Sequence, residues 1–232
     1  MTVIWGLDLK EMQWGKFRSS YMFNREYHLR RTKMIVYQLA MILCVCSESI
    51  GTAALSDYVG QQDYVANLSN VTIYNDDFVG IASYNIFVGI AVATIFGAAF
   101  FFDLFWPERH KSRAVKISWK ISAVVVCIMA FADAIALAAI VATRSAYLSG
   151  SGAAQAASLM QQHFNPPLEY RKNGRAVASV VLLWLGLIAT IASTFILFAS
   201  YKHNEKYGPK TTHALKEEQH TNYNTRNYHR RR

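Results

Sequence analysis

The chain alternates between long apolar stretches and shorter polar ones. The apolar stretches cover residues 34–55, 79–102, 121–143 and 176–201 and include runs such as VVVCIMAFADAIALAAIV and VLLWLGLIATIASTFILF. An α-helix needs about 20 mostly apolar residues to cross a hydrocarbon core of about 30 Å, and each stretch reaches that length. The pattern therefore predicts an all-α fold, a polytopic membrane protein whose four transmembrane helices pack in a bundle.

Polar segments flank this predicted transmembrane domain, which covers residues 34–201. The N-terminal segment, residues 1–33, mixes basic and aromatic residues. Its imperfect periodicity is compatible with an amphipathic stretch on the inner leaflet and equally with a disordered tail. The C-terminal segment, residues 202–232, has few large apolar residues and ends in HRRR, so it is predicted to be disordered.

Basic residues are distributed unevenly between the two predicted sides of the membrane. Of the 24 Lys and Arg residues, 20 lie in residues 1–33, 103–120 and 202–232. Since basic residues stay on the cytosolic side, both termini are predicted to be cytosolic. The net charge of +9 is then a topology signal, and nucleic-acid binding is not indicated because no recognition motif joins the three segments. The residues predicted to contact anionic lipids of the inner leaflet are Arg109, Lys111, Arg113, Lys116 and Lys120.

The loop between the first two apolar stretches is predicted to be outside, and a second feature agrees. The N-x-[ST] sequons of the chain, NLS at Asn67 and NVT at Asn70, both fall in this loop. Asn67 lies about a dozen residues from either stretch, so glycosylation there is geometrically permitted. The three cysteines, Cys44, Cys46 and Cys127, all lie inside apolar stretches, so no disulfide framework is predicted for the loops.

Little in the sequence points to catalysis. All seven histidines lie outside the apolar stretches, which argues against an intramembrane His-ligated metal site or a Ser-His dyad. The sequence contains no dinucleotide fingerprint, Walker loop or internal repeat. It therefore predicts a protein that is not an enzyme and that uses neither a cofactor nor a metal.

Small residues recur at helical spacing within the apolar stretches. In the second stretch they form a stripe with a period of four, and the third stretch repeats the pattern. Membrane helices associate through such small residues because lipid tails leave no hydrophobic drive between helices. The positions predicted to pack helices or protomers are Gly89, Ala93, Gly97, Ala130, Ala134 and Gly186.

Three polar residues interrupt the apolar stretches. Glu48 lies roughly 10 Å from the predicted outer surface at 1.5 Å per residue, and Asn85 lies at a similar depth. Asp133 is about 15 Å deep by the same rise per residue, on a face of small residues. Inserting an ionised acid at mid-depth in the bilayer costs roughly 2.5–3.5 kcal/mol on insertion scales, so such a residue is rarely without a structural or functional role. We expect Glu48, Asn85 and Asp133 to meet inside the bundle.

Three interpretations of this intramembrane polar cluster are open. It is a clamp that holds the helices in register, with one protonated carboxyl sharing a hydrogen bond with the other or with Asn85. Alternatively, the carboxyl groups relay a proton or bind a cation. The third interpretation is a contact with a lipid headgroup or a partner helix. The clamp is favoured, because a transport pathway usually brings broken helices or repeated polar positions.

The approach to the fourth stretch, NGRAVASVVLLWLGLIATIAS, resembles the last span of MARVEL-type membrane proteins. In that family a basic residue near the outer edge leads into small residues and an aromatic-containing apolar helix. The resemblance extends to the four-span arrangement over residues 34–201 and is closest to the fungal members. It implies a role in organising membrane subdomains or vesicle trafficking, without catalytic residues.

The sequence thus predicts a non-enzymatic protein of the plasma membrane or the secretory pathway. It would organise membrane lipids, further copies of itself or other membrane proteins through lateral helix packing. The alternative is a small transporter or channel subunit in which Asp133 and Glu48 serve as ion or proton sites.

Overall fold

In a computed structural model of the 232-residue chain, long helices account for most of the molecule. The predicted fold class is confirmed in its coarser form, because four helices are long and apolar enough to cross a membrane. Each of them contains one predicted stretch in full. The residues that the structure describes are 3–4, 7–67, 71–109, 112–150, 152, 158 and 166–216.

The secondary structure follows a simple order along the chain. Strands β1 and β2 form a small hairpin at the N-terminus, and strands β3 and β4 pair with each other across two separate loops. The strands are β1 (Val3–Ile4), β2 (Leu7–Asp8), β3 (Val71–Tyr74) and β4 (Tyr147–Gly150). The helices are α1 (Ser19–Met22), α2 (Arg30–Ala66), α3 (Asp76–Phe105), α4 (Arg113–Thr143) and α5 (Gly174–Tyr207).

The four long helices form a ring in which sequence neighbours run in opposite directions. Helix α2 packs on α3 and α5, and α4 packs on the other sides of α3 and α5. The α2–α5 pair is drawn close by a glycine, since a Cβ atom on Gly186 would lie 2.7 Å from Cys44 Sγ. Helix α3 approaches α2 in the same way at Gly97, where a Cβ atom would lie 3.0 Å from Met41 Sδ.

Helix α2 continues well beyond the predicted stretch that ends at residue 55. Its last three turns are polar on the outside, but Tyr58, Gln61 and Val65 remain buried at helical spacing. Tyr58 packs against Phe78 and Tyr170, with ring centroids 4.7 and 5.2 Å apart respectively. Hydropathy alone ends the helix too early, because this aromatic cluster supplies the burial that continues it.

The loops at this end of the bundle, here called the loop end, are tied together by backbone pairing. Strand β3 pairs antiparallel with β4, and Tyr74 stacks on Tyr147 with 4.8 Å between ring centroids. Tyr170 Oη also donates a hydrogen bond to Asp77 Oδ1 at 2.7 Å, and Arg175 forms an ion pair with Asp57 at 2.7 Å. The two loops therefore form one cap, which the sequence did not predict.

The opposite end, where the N-terminal segment meets the end of α5, is here called the terminal end. The last carbonyl groups of α3 have no partner within their own helix. Arg30 donates to the carbonyl oxygens of Asp103 and Leu104 at 3.3 and 3.5 Å, and Lys16 donates to that of Phe105 at 2.7 Å. These cations also suit the negative end of the helix dipole. The N-terminal segment is thus folded onto α3.

The predicted disorder of the C-terminal segment does not apply to its first part. Helix α5 runs on to Tyr207, and the backbone N–H of Thr211 donates to Glu26 O at 2.8 Å. The rings of His28 and His203 stack with centroids 3.6 Å apart. These contacts with the N-terminal segment explain the difference, since a polar sequence gains order from a non-local partner. Residues 217–232 lie outside the described residues.

The close approach at Gly186 can be tested by adding one methyl group. Gly186→Ala should lower the free energy of unfolding in detergent by about 1–3 kcal/mol, the usual cost of overpacking. Gly80→Ala is the matched control, because no atom lies within 4 Å of its added Cβ; it should be neutral or stabilising by roughly 0.5–1 kcal/mol. Equal stability of the two variants in a denaturant titration would contradict the close packing of α2 on α5.

The stacked histidines predict a pH dependence of the terminal end. Burial lowers the pKa of His28 below its usual value, and the charges of His203 and Lys33 lower it further. The imidazole of His28 therefore binds a proton more readily in the unfolded chain than in the folded one. The contribution of neutral His28 to the stability of the fold is complete above the unfolded pKa, about 6.5, and is lost as the pH falls below that value. Detergent unfolding at pH 7.5 and 5.5 should show a loss of stability that His28→Gln reduces. The same loss in both proteins would contradict this assignment.

Candidate functional site

Two serines join α2 and α5 in the interior of the bundle. Ser47 Oγ donates to the carbonyl oxygen of Ser179 at 2.8 Å, and Ser179 Oγ donates to that of Ser47 at 2.9 Å. Both residues are buried. Each hydroxyl group therefore donates its proton to a backbone carbonyl oxygen of the opposite helix. The two hydrogen bonds hold the helices in one register.

Asn85 extends this contact to α3. Its Nδ2 donates to Ser179 Oγ at 3.3 Å. Gly51 on α2 provides the space, because a Cβ atom there would lie 3.0 Å from both Asn85 Nδ2 and Ser179 Oγ. Ser47, Ser179, Asn85 and Gly51 thus form a junction of α2, α3 and α5, here called the serine junction.

Further along the same helices, α2 and α5 continue to meet through small polar groups. Cys44 Sγ lies 3.9 Å from Thr190 Oγ1, and Ser193 Oγ donates to Val36 O at 3.2 Å. Each of the three polar side chains is also buried. The interface between these helices therefore contains a row of small hydroxyl and thiol groups.

Asp133 lies on α4 and is fully buried, with Ala130 and Ala134 buried beside it. Neither carboxylate oxygen has a hydrogen-bond partner among the described residues. Asp133 lies on the helix diagonally opposite α2, the helix that carries Glu48. The carboxyl group therefore points into the bundle, but it is not part of the serine junction.

Glu48 takes a third position, between α2 and α3. Its Cβ lies 2.9 Å from where a Cβ atom would be on Gly89, and its Oε2 has no hydrogen-bond partner in the described part of the chain. The three residues predicted to meet are therefore not joined by hydrogen bonds: Asn85 binds Ser179, Glu48 packs on Gly89, and Asp133 has no such partner. Among the described residues, the hydrogen bond expected from one carboxyl group to the other or to Asn85 is not present.

The two serines that form the junction are not predicted from the sequence. In the first stretch the charge of Glu48 draws attention, whereas the neighbouring Ser47 carries no such signal. The buried face of α2 instead includes Cys44, Ser47 and Gly51. The spacing of small residues on both helices would have indicated this face. Cys44 and Gly51 are seven residues apart on α2, and Ser179 and Gly186 are seven residues apart on α5.

The remaining predicted positions are spread over the two ends of the bundle. Asn67 is the C-terminal cap of α2, where its Nδ2 donates to Asp63 O at 2.8 Å. Lys116 and Lys120 each lie 4.0 Å from Glu205, which offsets part of their charge, while Arg109 and Arg113 are exposed. Ala93 is partly buried on α3. Asn70 and Lys111 lie outside the described residues.

The titratable groups of the interior do not assemble into a metal centre. Within the ranges that the structure describes, no three His, Cys, Asp or Glu side chains come close enough together to hold a metal ion. The arrangement can instead do two things chemically. The serine junction and its neighbours hold three helices together, and Asp133 keeps a buried carboxyl group that can accept a proton.

The placement of Asp133 predicts that removing the carboxyl group stabilises the bundle. Burying a polar group without a hydrogen bond costs about 1–3 kcal/mol in protein mutational data, so Asp133→Ala should raise the free energy of unfolding by a similar amount. Ser179→Ala should instead lower it by about 0.6–1.7 kcal/mol, the range for hydrogen bonds between membrane helices. Unfolding in mixed micelles measures both. A loss of stability in Asp133→Ala would restore the clamp interpretation of this residue.

Comparison with known proteins adds nothing to this geometry. No protein-family model, curated protein or solved structure matches the chain. The resemblance of the fourth span to MARVEL-type proteins therefore stays a prediction, and the function has to be argued from the helices themselves.

Proposed function

We propose that this chain is a multi-pass membrane protein with both termini in the cytosol, that it has no enzymatic activity, and that it organises lipids or partner proteins laterally. The observation that carries the proposal is how the bundle uses its polar groups. The side chains of the serine junction bond between helices, and the outward surface of the four apolar stretches is mostly apolar.

The outward surface supports placement in a bilayer. Ile42, Phe87, Ile128 and Ile188, one on each long helix, are all more than half exposed. So many large apolar side chains on every side of a bundle would be unfavourable in water, whereas hydrocarbon chains cover them without cost. The basic segments at the terminal end support a cytosolic location of that end.

The interior supports a role in assembly over a role in passage. At Gly186 and Gly97 the neighbouring helix approaches so closely that a Cβ atom would meet Cys44 or Met41. The polar side chains between α2 and α5 are bonded to each other or to backbone. A rigid bundle with a lipid-facing surface is suited to binding neighbours in the plane of the membrane.

One observation favours a second candidate, a small transporter or channel subunit. Asp133 is fully buried and neither of its carboxylate oxygens has a hydrogen-bond partner among the described residues. Ionisable groups inside a membrane often mark proton or ion pathways. This candidate would use Asp133 as the site at which a proton or cation binds, with Glu48 nearer the loop end as the second acid.

The two candidates predict different behaviour in cells. For an organiser, photobleaching of a tagged copy at native expression should show stable patches with slow exchange in the plasma membrane or a secretory-pathway membrane, and Asp133→Asn should leave the patches intact. A uniform and freely diffusing signal would contradict the organiser. Proton or cation flux into liposomes that Asp133→Asn abolishes, in a variant that remains folded, would establish the transporter in its place.

A further inference from the structure

The N-terminal segment leaves an apolar groove where it crosses the end of α3. The groove has a volume of about 550 Å³ and is lined by side chains of both elements. Trp14 and Met12 of the N-terminal segment are largely exposed, and Phe101 of α3 is about half exposed. Phe17 packs edge-on against Phe101 and Phe105, which joins the two walls. This aromatic and aliphatic surface has the chemistry of a binding site for a hydrocarbon chain.

A second, polar pocket adjoins the groove and shares Trp106 with it. Its volume is about 380 Å³. Lys16 and Arg109 contribute positive charges, and Asp8, Glu11 and Glu108 contribute negative ones. The indole N–H of Trp106 donates to Asp8 O at 3.3 Å, so this ring holds the N-terminal segment in place as the wall between the two pockets.

We propose that the groove and the polar pocket together bind one phospholipid whose headgroup carries a primary amine. The apolar helix α3 ends at Phe105, and Trp106, Pro107 and Glu108 follow it. This transition places the groove at the edge of the hydrocarbon region and the polar pocket among the headgroups, with Trp106 at the boundary where such rings are enriched. One molecule with an acyl chain and a charged headgroup matches both parts.

The charges of the polar pocket select a zwitterionic headgroup. A phosphate group would accept a hydrogen bond from Lys16, whose ammonium has three donors and gives one to Phe105 O and one to Glu11. The carboxylates, Glu108 among them, would then accept from the amine. Because three acids and two basic residues line the pocket, an anionic headgroup without an amine would add to its excess of negative charge.

The same pocket is less suited to a quaternary ammonium group. Such a group binds to the faces of aromatic rings, and the guanidinium of Arg30 already lies over Tyr21 and Tyr27, at 4.7 and 5.0 Å from the ring centroids. A trimethylated nitrogen also has no N–H to donate to Glu108. The structure therefore assigns the site to an ethanolamine-type headgroup in preference to a choline-type one.

The experiment is native mass spectrometry of the full chain in detergent with equimolar phosphatidylethanolamine, phosphatidylcholine and phosphatidylglycerol of identical acyl chains. We expect one retained phosphatidylethanolamine, favoured about tenfold over the other two, as one charge-assisted hydrogen bond would give. Equal retention of the three lipids, or a preference for phosphatidylcholine or phosphatidylglycerol, would overturn the proposal.

Substitutions at two exposed positions test the headgroup contact and the acyl-chain contact separately, without disturbing the fold. Glu108→Gln should remove most of the preference for phosphatidylethanolamine while total lipid retention persists. Trp14→Ala should reduce the retention of all three lipids alike and leave their ratio unchanged. Asp63→Asn, which removes the charge of an exposed acid at the loop end and far from the pocket, is the matched control and should behave as the wild type. A full preference in Glu108→Gln would show that the lipid binds elsewhere and would overturn the site.

This site deepens the proposed function, since it rests on the placement of the chain in a membrane, but the two can fail separately. Slow exchange in patches with no lipid preference in the micelle would refute the lipid site and leave the organiser standing. Free diffusion in cells with a tenfold preference for phosphatidylethanolamine would refute the organiser and leave the lipid site standing.

Discussion

The contact between α2 and α5 at the serine junction is the constraint on which the rest of the bundle depends. In the proposed bilayer setting, two helices would gain little from apolar contact with each other, so their association would require close packing and hydrogen bonds. Ser47 and Ser179 exchange hydrogen bonds with each other's backbone, and Gly51 and Gly186 bring the helices near enough for this. Helix α3 then joins through Asn85.

Asp133 shows how differently a polar group behaves when no partner reaches it. Helix α4 packs on α3 and α5, but it contributes no side chain to the serine junction. Its carboxyl group is buried among small residues without a hydrogen bond among the described residues. A bundle that keeps such a group carries a cost in stability, which is typical of a residue retained for a role other than packing. This contrast is why a proton or ion site stays a second candidate.

The terminal end links the fold to the proposed lipid site through one physical need. The last carbonyl groups of α3 must find donors outside their helix, and Arg30 and Lys16 supply them. Lys16 thereby holds the N-terminal segment across α3, and the groove and the polar pocket form between the two. The same cation that completes the helix end is thus available to a phosphate group beside it.

The sequence by itself determined the four long helices, because twenty apolar residues in a row have few other ways to satisfy their backbone. The recurrence of small residues at helical spacing also predicts helix contacts at Gly89, Gly97 and Gly186, and a Cβ atom at each would lie within 3.0 Å of a neighbouring helix. Only the tertiary structure decided which polar residues meet. Ser47 and Glu48 are adjacent on α2, so rotating the helix about its axis by one residue would place Glu48 at the junction instead of Ser47. Hydropathy does not indicate this rotation angle. The pairing of β3 with β4, and of the N-terminal segment with α3, depends on partners far apart in the chain, for which no local pattern exists.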